Sequence, residues 1–158
     1  MARTSTADAI RPIVIRAIDV AAGDQARSVE AEHLLLAVLD DGRLPGARAL
    51  GDAGFPAAWW RTALLEERNA TLATAGIAGI DDARLEASPS GKLPGWGASA
   101  RAALKRGSLH AVERGHSHRM DDVDLLLGIF DASMGTVPRV LARHEVDAGY
   151  LAAKLRAA

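Results

Sequence analysis

Residues 33–64 read HLLLAVLDDGRLPGARALGDAGFPAAWWRTAL, and residues 124–155 read DLLLGIFDASMGTVPRVLARHEVDAGYLAAKL. Laid over one another without a gap, at an offset of 91 positions, the two stretches nearly repeat one another. Leu34, Leu35 and Leu36 fall on Leu125, Leu126 and Leu127, Asp40 on Asp131, and Arg48 on Arg139. Leu50 falls on Leu141, Ala57 on Ala148 and Leu64 on Leu155, while Trp59 faces Tyr150 and Phe55 faces Val146. Such agreement marks a duplicated structural unit, and duplicated helical units more often build binding surfaces than active sites.

Outward from the repeat, the composition narrows the class. The chain has 158 residues, enough for one domain with a sizeable core. Its apolar share of 49% is carried by Ala, Leu, Val and Ile, with only three Trp, one Tyr and two Phe, a balance that leans helical. A net charge of −1 argues against a nucleic acid or an acidic membrane surface as partner. The absence of cysteine removes disulfides, thiolate nucleophiles and cysteine metal sites. Arg3 is followed by Thr4, Ser5 and Thr6 rather than by an apolar core, so no signal peptide is read and a cytoplasmic location is expected.

Periodicity and punctuation predict eight helices in two sets of four. Ser5 or Thr6 caps a first helix with Ile10, Ile13, Val14, Ala17, Ile18 and Ala21 at helical spacing, ending at Gly23 and Asp24. A second runs from about Val29 to Leu39, a short third starts at Pro45, and a fourth starts at Pro56 and carries Trp59 and Trp60. From Asn69 to Gly97 glycines and prolines mark a linker, with room for a short helix near Asp81 to Glu86. The second set follows: Ser99 caps one helix, Asp121 or Asp122 the next, Thr136 and Pro138 open a short third, and Asp147 caps a last with Tyr150, Leu151 and Leu155 inward. The expected fold is therefore all-α. Its two pseudo-twofold-related four-helix units share a core, with repeat one at about 5–68, the linker at about 69–97 and repeat two at about 98–158.

Little in the chain suggests chemistry. Glu32 and His33, beside an exposed turn, form the most site-like pair, set against a plain reading as a first-turn carboxylate and a packing residue. His110, His116 and His118 do not share a helix face, and no carboxylate stands at a recognised zinc spacing. Ser90-Gly91-Lys92 fails as a phosphate loop, because Glu86 and Leu93 stand where a glycine and a Ser or Thr are needed. Trp59 and Trp60 are adjacent on one helix and cannot both point inward, so one of them is core and the other half-covered or part of an aromatic binding surface. No catalytic residue, metal site or cofactor is called for.

The segment EAEHLLLAVLDDGRLPGARALGDAGF, residues 30–55, resembles the repeat of the Clp N-terminal domain. That repeat has a T-E-H-[IL]-L-L-[GA]-[LI] start, a short acidic or glycine-containing turn, and then A-x-x-[LV]-L-x-x-x-G. Residues 121–147, DDVDLLLGIFDASMGTVPRVLARHEVD, resemble it more loosely, and residues 109–118, LHAVERGHSH, are similar to the family's helix end and Gly-His turn. The opening TADAIRPIVIRAIDVA, residues 6–21, is similar to the helix that starts the domain.

The resemblance implies a domain that receives adaptors and substrate proteins for Clp-type AAA+ unfoldases, here as a free-standing protein without the ATPase module. It implies peptide, adaptor or substrate ligands and a role in modulating Clp-dependent degradation. The alternative it implies is a decoy that sequesters cyclic-peptide antibiotics aimed at those unfoldases. In some bacteria the family's domain also binds phosphorylated arginine through the glutamate of the E-H pair, which Glu32 matches. In the second copy Val123 and Asp124 stand there, so a second site would be lost or rebuilt around Asp122 or Asp124. Ala2 and Ser5 replace the family's N-terminal aromatic residues, and the longer linker brings Trp96 toward the groove. Glu32, His33, Trp59 and Trp60 are the expected ligand contacts.

Overall fold

The second helix of each copy is apolar on nearly every side, AEHLLLAVL at 31–39 and DVDLLLGIF at 122–130, and a helix of that kind has to be surrounded. The structure, a computed structural model, describes residues 7–76, 92–117 and 119–158. Among them eight helices are formed: α1 Ala7–Gly23, α2 Ala31–Leu39, α3 Pro45–Asp52, α4 Ala57–Thr74, α5 Ala98–Glu113, α6 Asp122–Phe130, α7 Thr136–Arg143 and α8 Ala148–Arg156. α2 and α6 lie at the centre. Every residue of α6 is buried, and of α2 only Glu32 is not. The predicted caps Ser5 and Thr6, the short helix at Asp81 to Glu86, Ser90-Gly91 and His118 lie outside the described residues.

The helix limits repeat at the sequence offset. α2 and α6 coincide at both ends, as do α3 and α7, and α1 with α5 and α4 with α8 coincide at their starts. The turns repeat as well. After α3 the Phe55 N–H donates to Leu50 O (2.8 Å), and after α7 the Val146 N–H donates to Leu141 O (2.9 Å). Each turn needs one residue with positive φ, which is Gly54 (95°) in the first copy and Glu145 (53°) in the second.

The outer helices approach the central ones differently in the two copies. Where α5 crosses α6, Gly107 and Gly128 let the backbones meet, and a Cβ on Gly128 would stand 2.5 Å from Ala103 O and Gly107 N. Arg16 and Ala37 occupy the matching positions in α1 and α2. Both crossings are tied by a guanidinium on a helix carbonyl, Arg16 Nη1 to Ala37 O (2.9 Å) and Arg106 Nε to Gly128 O (2.7 Å).

Four details depart from the sequence reading. A two-residue parallel pair, β1 Ser28–Val29 with β2 Gly95–Trp96, joins the segments that lead into α2 and α5. A pair this short shows no alternation to read. α4 continues through Asn69–Thr74, where the linker was expected, because Ala70, Leu72 and Ala73 favour helix until Gly76 turns at φ 76°. Ser99 is not the cap of α5, which begins after Gly97 and takes its acceptor from another part of the chain. Tyr150, expected inward, is 46% exposed. No helix among the described residues is long and apolar enough to cross a membrane.

Candidate functional site

The start of α2 carries four polar residues within six positions, Ser28, Glu30, Glu32 and His33, and each has a separate task. His33 is buried, and its Nδ1 accepts the Glu30 N–H at 2.9 Å. Nδ1 therefore carries no proton, and Nε2 points toward Asp24 Oδ2, 3.7 Å away. The imidazole thus works as a helix cap.

The Glu30 carboxylate turns to the start of α5. It accepts the Ser28 hydroxyl (2.7 Å), the Ser99 N–H (3.2 Å) and the Ser99 hydroxyl, while Ser99 Oγ accepts the Ala31 N–H (2.9 Å). One carboxylate and one serine therefore close the orphan donors of two helix starts at once. Burial alone would raise the Glu30 carboxyl, but these donors hold it below the ordinary range.

Glu32 is the carboxylate left over. It faces the start of α7, with Thr136 beside it, and lines a cleft of about 640 Å³ between α2, α4 and the first turn of α7. Burial raises its carboxyl, and its own backbone N–H and the Thr136 hydroxyl oppose that only in part. Leu36, Leu64, Leu65 and Leu72 give the cleft an apolar wall, and Arg68 and Arg139 give it positive charge. Arg68 has no carboxylate partner among the described residues.

Arg139 is fixed by Glu67, which sequence reasoning missed. Glu67 is 3% exposed on α4 and accepts Arg139 Nε (2.7 Å), Arg143 Nε (3.2 Å) and the Thr71 hydroxyl (3.2 Å), tying α4 to α7. Burial pushes its carboxyl up, but the two guanidinium groups and Thr71 outweigh that and hold it below the ordinary value. A signal was present: Glu67 continues the inward stripe of Trp60, Ala63 and Leu64, where a lone carboxylate requires partners. Arg139 and Arg143, four residues apart, supply them.

The four expected contacts are thus divided. Glu32 and His33 line the cleft, whereas neither tryptophan does. Trp60 is fully buried against Phe130, and its indole N–H has no hydrogen-bond partner among the described residues. Trp59 is half-buried, edge-on to Phe55, Trp60 and His144, and borders a different depression.

In the second copy the corresponding carboxylates are all engaged. Val123, at the Glu32 position, is buried. Asp122 accepts the Gly46 N–H (2.6 Å) at the start of α3, and burial raises its carboxyl. Asp124, fully buried, accepts Arg114 Nη1 (2.6 Å) and the Asp121 N–H (3.0 Å) and lies 2.8 Å from His116 Nδ1. Burial would raise the Asp124 carboxyl, but the Asp121 N–H, His116 and Arg114 together lower it. His116, Asp121 and Asp124 come close enough to share a metal ion, but Arg114 Nη1 already bridges the two carboxylates. His110 lies apart, 2.5 Å from Asp131 Oδ2 at the end of α6.

No protein-family model and no curated protein sequence matches this chain. Among solved structures it is similar to the N-terminal domain of the caseinolytic protease associated chaperone ClpD from Arabidopsis thaliana. The identity is 20% and the TM-score 0.62, and the match covers 94% of this chain and 90% of that one. The chain therefore has the all-α fold of the Clp N-terminal domain.

Proposed function

We propose that this chain is a non-catalytic binding protein that captures peptides, adaptors or substrate proteins in the cleft beside α2 and so modulates Clp-dependent degradation. The observation that carries the proposal is Glu32: among the carboxylates at the starts of α2 and α6, it alone lines the cleft with neither a cation nor another residue's backbone N–H fixed on it. Glu30, Asp122 and Asp124 are spent on backbone donors or cations. An open carboxylate in a partly dry cleft suits the guanidinium of an arginine side chain, and Arg68 and Arg139 on the opposite wall suit an anionic group on the same ligand. Phosphorylated arginine combines both charges, and an unmodified basic peptide satisfies the first.

The test is thermal unfolding of the chain with phosphoarginine, phosphoarginine peptides and unmodified peptides, in the parent and in Glu32→Gln. Ligand at ~100 times its Kd adds roughly 2.7 kcal/mol of stability, a readily measured rise in Tm. The parent is expected to respond and Glu32→Gln to lose the response. Because burial disfavours the ionised Glu32, Glu32→Gln without ligand is expected to be as stable as the parent or slightly more so, within about 0.5 kcal/mol. For the same reason cation binding weakens on acidification at a higher pH than an ordinary glutamate would dictate. An equal response in both proteins removes Glu32 from the account.

A second reading rests on the leucine wall. Leu65 is 56% exposed on the cleft, which suits a hydrophobic cyclic peptide and hence a decoy that sequesters such an antibiotic. A Tm response to cyclic peptides alone, lost in Leu65→Asp and kept in Glu32→Gln, establishes that reading over the first.

A further inference from the structure

The turn into α4 and the turn into α8 occupy matching positions in the two copies, and the fold sets them side by side. Phe55 and Trp59 from the first, and Glu145, Val146, Asp147 and Tyr150 from the second, line one depression of about 530 Å³. Trp59 and Tyr150 are each other's counterparts at the offset of 91, so the duplication itself delivers two aromatic rings to one place. Tyr150 is 46% exposed and Trp59 half-buried, although both are large enough to be buried with profit.

The charge lining the depression is one-sided. Glu145 has no cationic partner among the described residues, and Asp147 uses Oδ1 on the Gly149 N–H (2.9 Å) and leaves Oδ2 open. The lining contains no lysine or arginine, and its one imidazole, His144, faces Glu66, with Nε2 to Oε2 at 3.1 Å. Outside the depression Lys154 Nζ stands 5.3 Å from the centre of the Tyr150 ring, so the chain already sets one cation against this aromatic patch. The first copy has Gly54 and Pro56 where the second has Glu145 and Asp147, so the acidic rim belongs to the second copy alone.

We infer that this depression docks a lysine or arginine side chain of a partner polypeptide, its stem against Trp59, Phe55 and Tyr150 and its charge on Glu145 and Asp147. Aromatic faces attract a cation, and two carboxylates without fixed counter-ions add Coulomb attraction. The surface is separate from the Glu32 cleft and does not depend on the function proposed for it.

The experiment is a titration of the whole chain, followed by NMR at the Trp59 indole N–H and the Gly149 amide. The probes are three blocked pentapeptides, Ala-Arg-Ala-Arg-Ala and its counterparts with Glu or Gln in place of Arg. The arginine peptide is expected to shift both signals saturably and the glutamate peptide to leave them unmoved. Tyr150→Ala and Glu145→Gln, both at exposed positions that leave the core intact, should each weaken binding about three- to fivefold. Glu32→Gln should leave these shifts as they are, which separates this site from the cleft. The inference is overturned if the glutamine peptide binds as well as the arginine peptide, if Glu145→Gln and Tyr150→Ala bind like the parent, or if neither signal moves at millimolar peptide.

Discussion

The starts of α2 and α6 solve one backbone problem with opposite chemistry. In α2 the N-cap amide of Glu30 donates to the imidazole of His33, with the acid Asp24 behind the ring. In α6 the N-cap amide of Asp121 donates to the carboxylate of Asp124, with the bases His116 and Arg114 behind it. Acid and imidazole have exchanged places. The helix needs only an acceptor at its third position, and either group supplies one. The exchange has consequences beyond the helix, because a buried carboxylate draws cations around it and a neutral imidazole does not. The α6 end is therefore closed by ion pairs, and the α2 end keeps Glu32 available.

The largest effect expected from breaking this contrast is at Asp124. Asp124→Ala leaves Arg114 without its nearer carboxylate and the Asp121 amide without its acceptor, and should cost about 3 kcal/mol in urea unfolding. His33→Ala removes only a neutral cap and should cost about 1–2 kcal/mol. Equal losses at the two positions would mean that the ion pairs around Asp124 add nothing to the cap.

Next in size is the helix crossing. Gly128→Ala drives a methyl group into the Ala103 carbonyl and should cost about 2 kcal/mol, whereas Ala37→Gly at the matching place should cost about 1 kcal/mol through helix propensity and the loss of one buried methyl group. Circular dichroism melts of the two variants check the difference.

The pH dependence sharpens the comparison further. Glu30, Glu67 and Asp124 all have carboxyls held below their ordinary values of 4.5, 4.5 and 3.8. Their contribution is fully present above those values and is lost as pH falls through the lower folded-state values. Stability should therefore decline on acidification below the ordinary carboxylate range. Glu67→Gln should flatten the decline at a cost of about 1–2 kcal/mol at neutral pH, since Arg139 and Arg143 are half-exposed and regain water. An unchanged profile in Glu67→Gln would remove it from the acid response.

The smallest expected effect is at the matching turns. Glu145→Gly gives the second copy the residue that the first has at Gly54, relieves a left-handed φ of 53°, and should add about 0.5–1 kcal/mol. A loss of stability would mean that the Glu145 side chain supports the turn.

Much of the fold was readable because helix starts and stops are local. Pro45 opens α3, Asp121 and Asp147 cap α6 and α8 as expected, and the leucine triplets fill the two central helices. Less of the cleft was readable. Glu32 and His33 stood out as a pair, but nothing in the order of residues says that Glu30, two positions earlier, is spent on Ser99. Trp59 and Trp60 could be ranked as one in and one out, but not assigned to a depression away from Glu32. Helical spacing sets Tyr150 on the face of Leu151 and Leu155 but does not say what covers that face, and Tyr150 stays exposed.

What the sequence alone determined was the all-α plan and where most of the helices start, because caps, glycine turns and apolar spacing act within a few residues of themselves. What only the tertiary structure decided was which carboxylates are consumed and which stays open. Glu30 meets Ser99 across 69 positions, Glu67 meets Arg139 across 72, and Asp122 meets Gly46 across 76. Pairings at that separation exist only after the helices have packed, and they leave Glu32 facing an open cleft.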